Sequence, residues 1–116
     1  MNIIKTFESF INESKNNIKI TKYGINDFDN AMSIPNQKWF GRHNSSLDKN
    51  GYLHYAEEVG NFFLIEIDNN RYMCHYNSTH TKLQFYDNND KHIDIQKIAS
   101  ENNVTENDIK VAIEKP

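Results

Sequence analysis

The chain has 116 residues, which is the length of one domain and excludes a multidomain machine. Apolar residues make up 37% of it and aromatic residues 12%, so we expect large rings to fill a core, and the composition is not that of a disordered chain. The net charge of −3 arises in residues 87–116, which carry seven acidic residues and four lysines, and no cluster of basic residues favours nucleic-acid binding.

The first 13 residues predict a short amphipathic helix. Its apolar residues recur at i, i+1, i+4, i+7 and i+8 and form one stripe, made of Ile3, Ile4, Phe7, Phe10 and Ile11. A helix of this length is marginal in water, so we expect the stripe to dock on another surface. Residues 14–17 are polar and predict a solvated linker between this helix and a single domain over residues 18–116.

This opening resembles the capsid-targeting leader of the internal head proteins of T-even-like bacteriophages. The likeness covers residues 1–14 and consists of a Lys-Thr start, an aromatic residue, a Glu, and a Phe-Ile-x-Glu ending. In that family a prohead protease removes the leader after a Glu that is preceded two positions earlier by Leu or Ile. Ile11 and Glu13 match this rule, which implies cleavage between Glu13 and Ser14. The alternative is a helix that packs permanently on its own domain or on a partner subunit.

Several β-strands are expected after the linker. Residues 18–23 alternate apolar and polar side chains and predict a strand that ends at Gly24. The signals from residue 25 to residue 60 are mixed, and the segments 39–42 and 52–56 are candidates for short strands. Residues 82–86 predict the last strand of a meander.

The clearest tertiary signal is a β-hairpin over residues 62–76, where two apolar runs flank a polar turn. A type I′ loop at Asn69-Asn70 is expected, because asparagine tolerates a positive φ. That loop pairs Ile67 with Tyr72 and places alternate residues on opposite faces of the sheet. We expect the face with Ile67 to be core and the other face to be covered by a helix.

The C-terminal part predicts a tight turn at residues 87–90 and then a helical hairpin. Asp94 is expected to cap the first helix and Thr105 the second, with Asp108 completing a capping box. The expected buried positions of the two helices are Ile95, Ile98, Ala99, Ile109, Ala112 and Ile113. The predicted fold class is therefore α+β: a small antiparallel β-meander packed with a C-terminal two-helix hairpin, plus the N-terminal amphipathic helix.

Metal binding and catalysis are not expected. The one cluster that suggests a metal consists of Cys74, His75, His80 and His92, but Cys74 and His75 are consecutive in a strand and point to opposite faces. The spacing of the remaining acids and histidines requires no hydrolytic site. We therefore predict no metal, no cofactor, no catalytic residue and no enzymatic activity. The apolar runs are too short to cross a bilayer, so no membrane partner is expected.

A protein partner is the expectation that remains. Aromatic residues and arginine dominate interface hot spots, and the candidates for such a surface are Trp39, Phe40, Arg42, Tyr52 and Tyr55. The alternative is that Trp39 and Phe40 belong to the core. The resemblance implies a protein packaged in the virion through contacts with the prohead, delivered to the host cytoplasm with the genome, and inhibiting a host defence protein. The competing expectations are a structural or assembly protein of the phage particle and a small cytosolic enzyme or regulator.

Overall fold

The computed structural model describes residues 17–40, 49–77, 79 and 81–114. The expected leader, its docking stripe, the cleavage bond between Glu13 and Ser14, and Arg42 lie outside these residues. The elements in chain order are β1 (Ile18–Tyr23), α1 (Phe28–Met32), α2 (Lys49–Val59), β2 (Phe62–Ile67), β3 (Asn70–Tyr76), β4 (Leu83–Tyr86), α3 (Ile95–Asn102) and α4 (Glu106–Glu114). The four strands form one antiparallel sheet in the order β1-β2-β3-β4, which confirms the α+β class and the meander.

Helix α2 corrects the expectation of a short strand at residues 52–56. Its buried residues Tyr52, Ala56 and Val59 are four and three positions apart, which is the spacing of one helix face. Gly60 follows the helix with a φ of 78°, and its N–H donates to the carbonyl of Ala56 at 2.8 Å. The other expected short strand, at residues 39–42, is not a strand at Trp39 and Phe40, its described positions.

The β2–β3 hairpin has the expected faces but a different turn. Its two-residue loop is Asp68-Asn69, so Ile67 lies opposite Asn70, and Tyr72 lies opposite Ile65 rather than Ile67. The expected type I′ geometry is wrong as well, because it needs a positive φ at both loop positions and only Asp68 has one, at 54°. Moving the pairing by two residues leaves every side chain on its expected face.

Both faces of the sheet are covered. Helices α3 and α4 pack on one face, and helices α1 and α2 pack on the other, which confirms the helix expected there. The first face contributes a buried cluster made of Phe63, Ile65, Ile67, Tyr72, Cys74, Phe85, Ile98, Ala99, Ile109 and Ile113. The second contributes Tyr23, Ala31, Ile34, Phe40, Tyr52, Ala56, Val59, Phe62, Leu64 and Met73.

The helical hairpin is joined as the sequence predicts. The N–H of Thr105 donates to Oδ2 of Asp108, and the N–H of Asp108 donates to the Thr105 hydroxyl, each at 3.0 Å. Asp94 occupies the cap position of α3, but its side chain makes no capping hydrogen bond. Of the six expected buried positions, Ile95 and Ala112 are only half-buried. Within the described ranges, the longest helix has 11 residues, and none is both long and apolar enough to span a membrane.

Candidate functional site

A recess of about 300 Å³ opens on the α2 side of the sheet. It lies between the segment after α1, helix α2, strands β3 and β4, and the turn at residues 87–90. Its lining residues are Trp39, Phe40, Tyr55, His75, Tyr86 and Asp90. Four of these six residues are phenylalanine, tyrosine or tryptophan, so the recess is bounded mainly by ring surfaces.

The far wall of the recess is a row of packed rings. Helix α2 directs Tyr55 against Phe62, with ring centroids 5.1 Å apart, and against the edge of His75 at 5.6 Å. His75 in turn stacks on Tyr86 of the neighbouring strand at 5.3 Å, with an interplanar angle of 23°. Each ring therefore contacts the next at a distance typical of favourable aromatic pairs.

Trp39 forms the near wall and is fixed by hydrogen bonds from both sides. Its indole Nε1 donates to the carbonyl oxygen of Asp87 at 2.9 Å, across 48 residues of sequence. Oε1 of the buried Gln37 accepts the backbone N–H groups of Trp39 and Phe40 at 2.8 and 2.9 Å. The two rings are therefore positioned by their own backbone as well as by packing.

Arg71 connects Trp39 to the turn at residues 87–90. Its guanidinium lies 5.5 Å from the centre of the Trp39 ring, a cation–π distance. The same group donates to Oδ1 of Asn88 at 2.9 and 3.1 Å and to the carbonyl of Pro35 at 2.7 Å. One half-buried side chain thus connects two walls of the recess.

The turn itself is preorganised. Oδ1 of Asp87 accepts the N–H groups of Asn89 and Lys91 at 2.9 and 3.0 Å, which is the side-chain pattern that stabilises such turns. The turn ends with Asp90 in the left-handed region, at a φ of 63°. This confirms the expected tight turn and places the Asp90 carboxylate at the rim.

Burial and the rim charge together control the ionisation of the phenols. The pKa of Tyr55 is raised well above its usual value, first by burial and then by the neighbouring Tyr86 and Asp90 charges. The pKa of Tyr86 is raised by burial and then by Asp90. A tyrosine with the ordinary pKa of 10.0 is already neutral at physiological pH, and the raised pKa values extend the neutral hydroxyl form to more alkaline pH.

The recess also holds polar atoms with hydrogen-bonding capacity to spare. The hydroxyls of Tyr55 and Tyr86 have no hydrogen-bond partner among the residues that the structure describes. His75 Nδ1 lies 2.8 Å from the carbonyl oxygen of Tyr76, which assigns the proton to Nδ1 and leaves Nε2 as an acceptor in the neutral ring. This arrangement suits binding through ring faces and hydrogen bonds.

Three of the five expected surface residues meet in this recess: Trp39, Phe40 and Tyr55. Trp39 and Tyr55 are half-buried, whereas Phe40 is buried and forms part of the floor. Tyr52 belongs to the core instead: its ring is fully buried and its hydroxyl donates to the carbonyl of Gly24 at 2.9 Å. Arg42 lies outside the described residues.

The expected separation of Cys74 and His75 is confirmed. Cys74 is packed under α3 and α4, whereas His75 faces the recess on the other side of the sheet. Burial raises the pKa of the Cys74 thiol, which keeps it protonated. His80 lies outside the described residues, and the residues that are described contain no group of three or more His, Cys, Asp or Glu able to hold a metal ion.

Sequence reasoning missed half of the site, namely His75, Tyr86 and Asp90, together with Arg71 behind Trp39. The register of β3 and β4, which pairs Met73 with Tyr86, would have found one contact, because it makes His75 and Tyr86 diagonal neighbours on one face. The contact of Trp39 with Asp87 has no comparable signal in the sequence.

Comparison of the chain with protein-family models, with curated proteins and with solved structures finds no match.

Proposed function

We propose that this protein is packaged in a bacteriophage head through its leader, matured by cleavage between Glu13 and Ser14, and delivered to the host cytoplasm with the genome. There it binds a host protein, and its action is to inhibit a component of host defence. The destination is supported by the resemblance of residues 1–14 to phage head leaders. The mode of action is supported by one structural observation, the preformed aromatic recess beside Arg71.

The packing of the sheet is compatible with a removable leader. Both sheet faces are covered by helices that follow residue 17, and each helix contributes buried residues to one of the two clusters. The residues of both described clusters all follow residue 17, so cleavage after Glu13 would remove none of them. On this proposal the leader makes its contacts with the prohead.

The recess has the composition of a binding surface. Tryptophan, tyrosine and arginine are the residues most enriched in hot spots, and three of them, Trp39, Tyr55 and Arg71, lie in or directly behind the recess. Their positions are fixed before binding, so little conformational entropy is lost when a partner docks. The acidic residues between 87 and 116 favour association with a partner of positive potential.

Mass spectrometry of purified phage particles tests the destination. A chain that begins at Ser14 inside the particles is the expected result. An intact chain from Met1 in the particles would instead support the structural or assembly role, and absence from the particles would support a cytosolic enzyme or regulator.

Two matched substitutions in the leader make this test specific. Glu13→Gln removes the carboxylate that the cleavage rule requires and is expected to leave the uncut chain in the particles. Glu8→Gln makes the same chemical change on the same helix and is expected to be cut normally. Equal processing of the two variants would contradict cleavage after Glu13.

The binding part is tested with the chain from Ser14 to Pro116 immobilised in host extract. We expect a host protein that is retained by this chain and by Val111→Ala, a change at an exposed residue of α4, but lost with Trp39→Leu. Circular dichroism of each variant checks that the fold is kept. Retention that is insensitive to Trp39 would contradict the recess as the binding surface.

A further inference from the structure

We propose that the recess binds one neutral aromatic side chain of the protein partner, a tryptophan or a tyrosine, whose N–H or O–H group donates to Nε2 of His75. The inference deepens the proposed function and rests on it for the existence of that partner. It names the side chain that the partner must present and the atom that recognises it.

His75 supplies the hydrogen-bond acceptor of this site. Only 9% of its surface is exposed, and its ring packs against the stacked ring of Tyr86 at 5.3 Å and against Tyr55 at 5.6 Å. Its Nδ1 donates to the carbonyl oxygen of Tyr76 at 2.8 Å, so in the neutral ring Nε2 carries no proton and can only accept. Within the described ranges no donor reaches Nε2.

Nε2 of His75 is accessible although the residue itself is buried. Among the described residues, the one fully buried side-chain nitrogen or oxygen that lacks a partner is Nε2 of Gln37. Nε2 of His75 therefore keeps contact with solvent, and the recess is the opening that His75 lines. A ligand that displaces this solvent without supplying a donor leaves the acceptor unpaired, which costs free energy. The atom therefore selects ligands that carry a donor.

The charges around the recess favour a neutral ligand. The Arg71 guanidinium already lies 5.5 Å from the centre of the Trp39 ring and would repel a second cation. After burial, the negative charge of Asp90 is among the causes that raise the pKa of Tyr55 and of Tyr86, so an anion beside these phenols is disfavoured as well. A neutral group with a hydrogen-bond donor avoids both penalties.

The lining provides the ring surface that an aromatic side chain needs. Its rings besides His75 are Trp39, Phe40, Tyr55 and Tyr86. Aromatic pairs gain stability beyond that of their buried area, and hot-spot residues such as tryptophan and tyrosine tend to pair with hot spots on the partner. At about 300 Å³ the recess is at the lower end of small-molecule pockets, about 300–1,000 Å³, which suits one side chain rather than a peptide segment.

The test is an NMR titration of the full chain with blocked single amino acids at about pH 8, where imidazole is ordinarily neutral. The probes are N-acetyl methylamides in two matched pairs: tryptophan with tryptophan methylated on its indole nitrogen, and tyrosine with phenylalanine. Each pair keeps the ring and differs in the donor. We expect saturable shifts with tryptophan and tyrosine, and about fivefold weaker binding of the probe without a donor, which corresponds to about 1 kcal/mol for one hydrogen bond.

The imidazole of His75 reports the contact directly. With nitrogen-15-labelled histidine, the resonance of the unprotonated Nε2 is expected to shift with tryptophan and not with the methylated probe. His75→Phe keeps a ring against Tyr86 but removes the acceptor, so the preference for donor-bearing probes should disappear. His92→Phe is the matched control and should keep that preference, because His92 also contacts Tyr86, at 4.7 Å, but does not line the recess.

Three outcomes would overturn the inference: equal affinity within both pairs of probes, no saturable shift with tryptophan or tyrosine, or a donor preference that is unchanged in His75→Phe. Stronger binding of blocked lysine, blocked glutamate or adenosine than of tryptophan would also overturn it, since the recess would then select a charged group or a nucleobase. If His75→Phe does not fold, the matched probes and the Nε2 resonance of the unaltered chain still decide.

Failure of this inference is distinguishable from failure of the proposed function. The titration needs neither a phage particle nor host extract, whereas packaging is tested by mass spectrometry of the particles. A host protein whose retention depends on Trp39, together with a negative titration, would leave the recess as the binding surface and remove only the aromatic side chain as its ligand.

Discussion

Arg71→Met is expected to loosen the recess without touching its lining. The substitution removes the donors to Asn88 and to the Pro35 carbonyl and removes the charge over Trp39, while an apolar stem of similar length remains. The two bonds to Asn88 share one acceptor atom, and the contact with the Asn36 carbonyl is long at 3.5 Å, so the loss is counted as two hydrogen-bonded contacts. With about 0.5–1 kcal/mol for each solvent-accessible contact and a similar value for the cation–π pair, the free energy of unfolding should fall by about 2 kcal/mol.

Fluorescence reports this change locally, because Trp39 is the single tryptophan of the chain. In Arg71→Met we expect red-shifted emission and stronger acrylamide quenching in the absence of denaturant, because Trp39 loses its guanidinium neighbour. Arg71→Lys keeps the charge but not the planar fork, so an intermediate effect is expected. Lys97→Met, on the exposed side of α3, is the control for the loss of one charge. Unchanged quenching in Arg71→Met would refute the role of Arg71 in holding the recess.

Three further predictions concern the rest of the fold. Thr105→Ala breaks the capping box of α4 and should lower the free energy of unfolding by about 1 kcal/mol in urea titration. Thr105→Ser keeps the hydroxyl and should cause no such loss. Equal losses in the two variants would contradict a capping role for the hydroxyl. Burial and the hydrogen bond to Glu101 raise the pKa of Tyr72 from 10.0 to about 12, so its stabilising contribution is complete below pH 10 and is lost as the pH rises towards 12. Tyr72→Phe should therefore show a shallower alkaline loss of stability, and an identical pH profile would contradict this. Cys74 is fully buried and should react with a thiol reagent only upon unfolding; immediate reaction of the native protein would show that it is accessible.

The parts of the fold that the sequence predicts are those that depend on local chemistry. The strand alternation in residues 18–23, the turn at residues 87–90 and the cap at Thr105 are each determined by neighbours within a few positions. The faces of β2 and β3 also follow from alternation alone. For this reason they are predicted correctly although the predicted turn is wrong. The choice between an Asp68-Asn69 loop and an Asn69-Asn70 loop depends on pairing along the whole hairpin.

Other features depend on contacts between distant segments. Helix α2 was expected as a strand at residues 52–56 because that window is too short to reveal the spacing of Tyr52, Ala56 and Val59. Asn102 was not expected in the core, yet it is buried and donates to the Tyr72 hydroxyl and to the Ile98 carbonyl, each at 2.8 Å. A buried amide of this kind becomes intelligible only when its partners are known, because its polar atoms must be satisfied across elements.

The residues of the recess also divide into those that the sequence predicts and those that depend on contacts between distant segments. The aromatic residues of the recess could be proposed from composition, and Trp39, Phe40 and Tyr55 are indeed brought together. Asp90 and Arg71 could not be found in this way, since their roles depend on a turn that lies 48 residues from Trp39 along the chain. Tyr52 and Tyr55 are both tyrosines on α2, but Tyr52 faces the core because of its position on the helix.

We expect the domain to fold without its first 13 residues. The measurement is urea unfolding of the chain from Ser14 to Pro116, followed by Trp39 fluorescence and circular dichroism and compared with the full chain. We predict free energies of unfolding that agree within about 0.5 kcal/mol, the usual range for changes away from a core. A loss of about 3 kcal/mol or more, as expected when large apolar side chains are removed from a core, would contradict the claim.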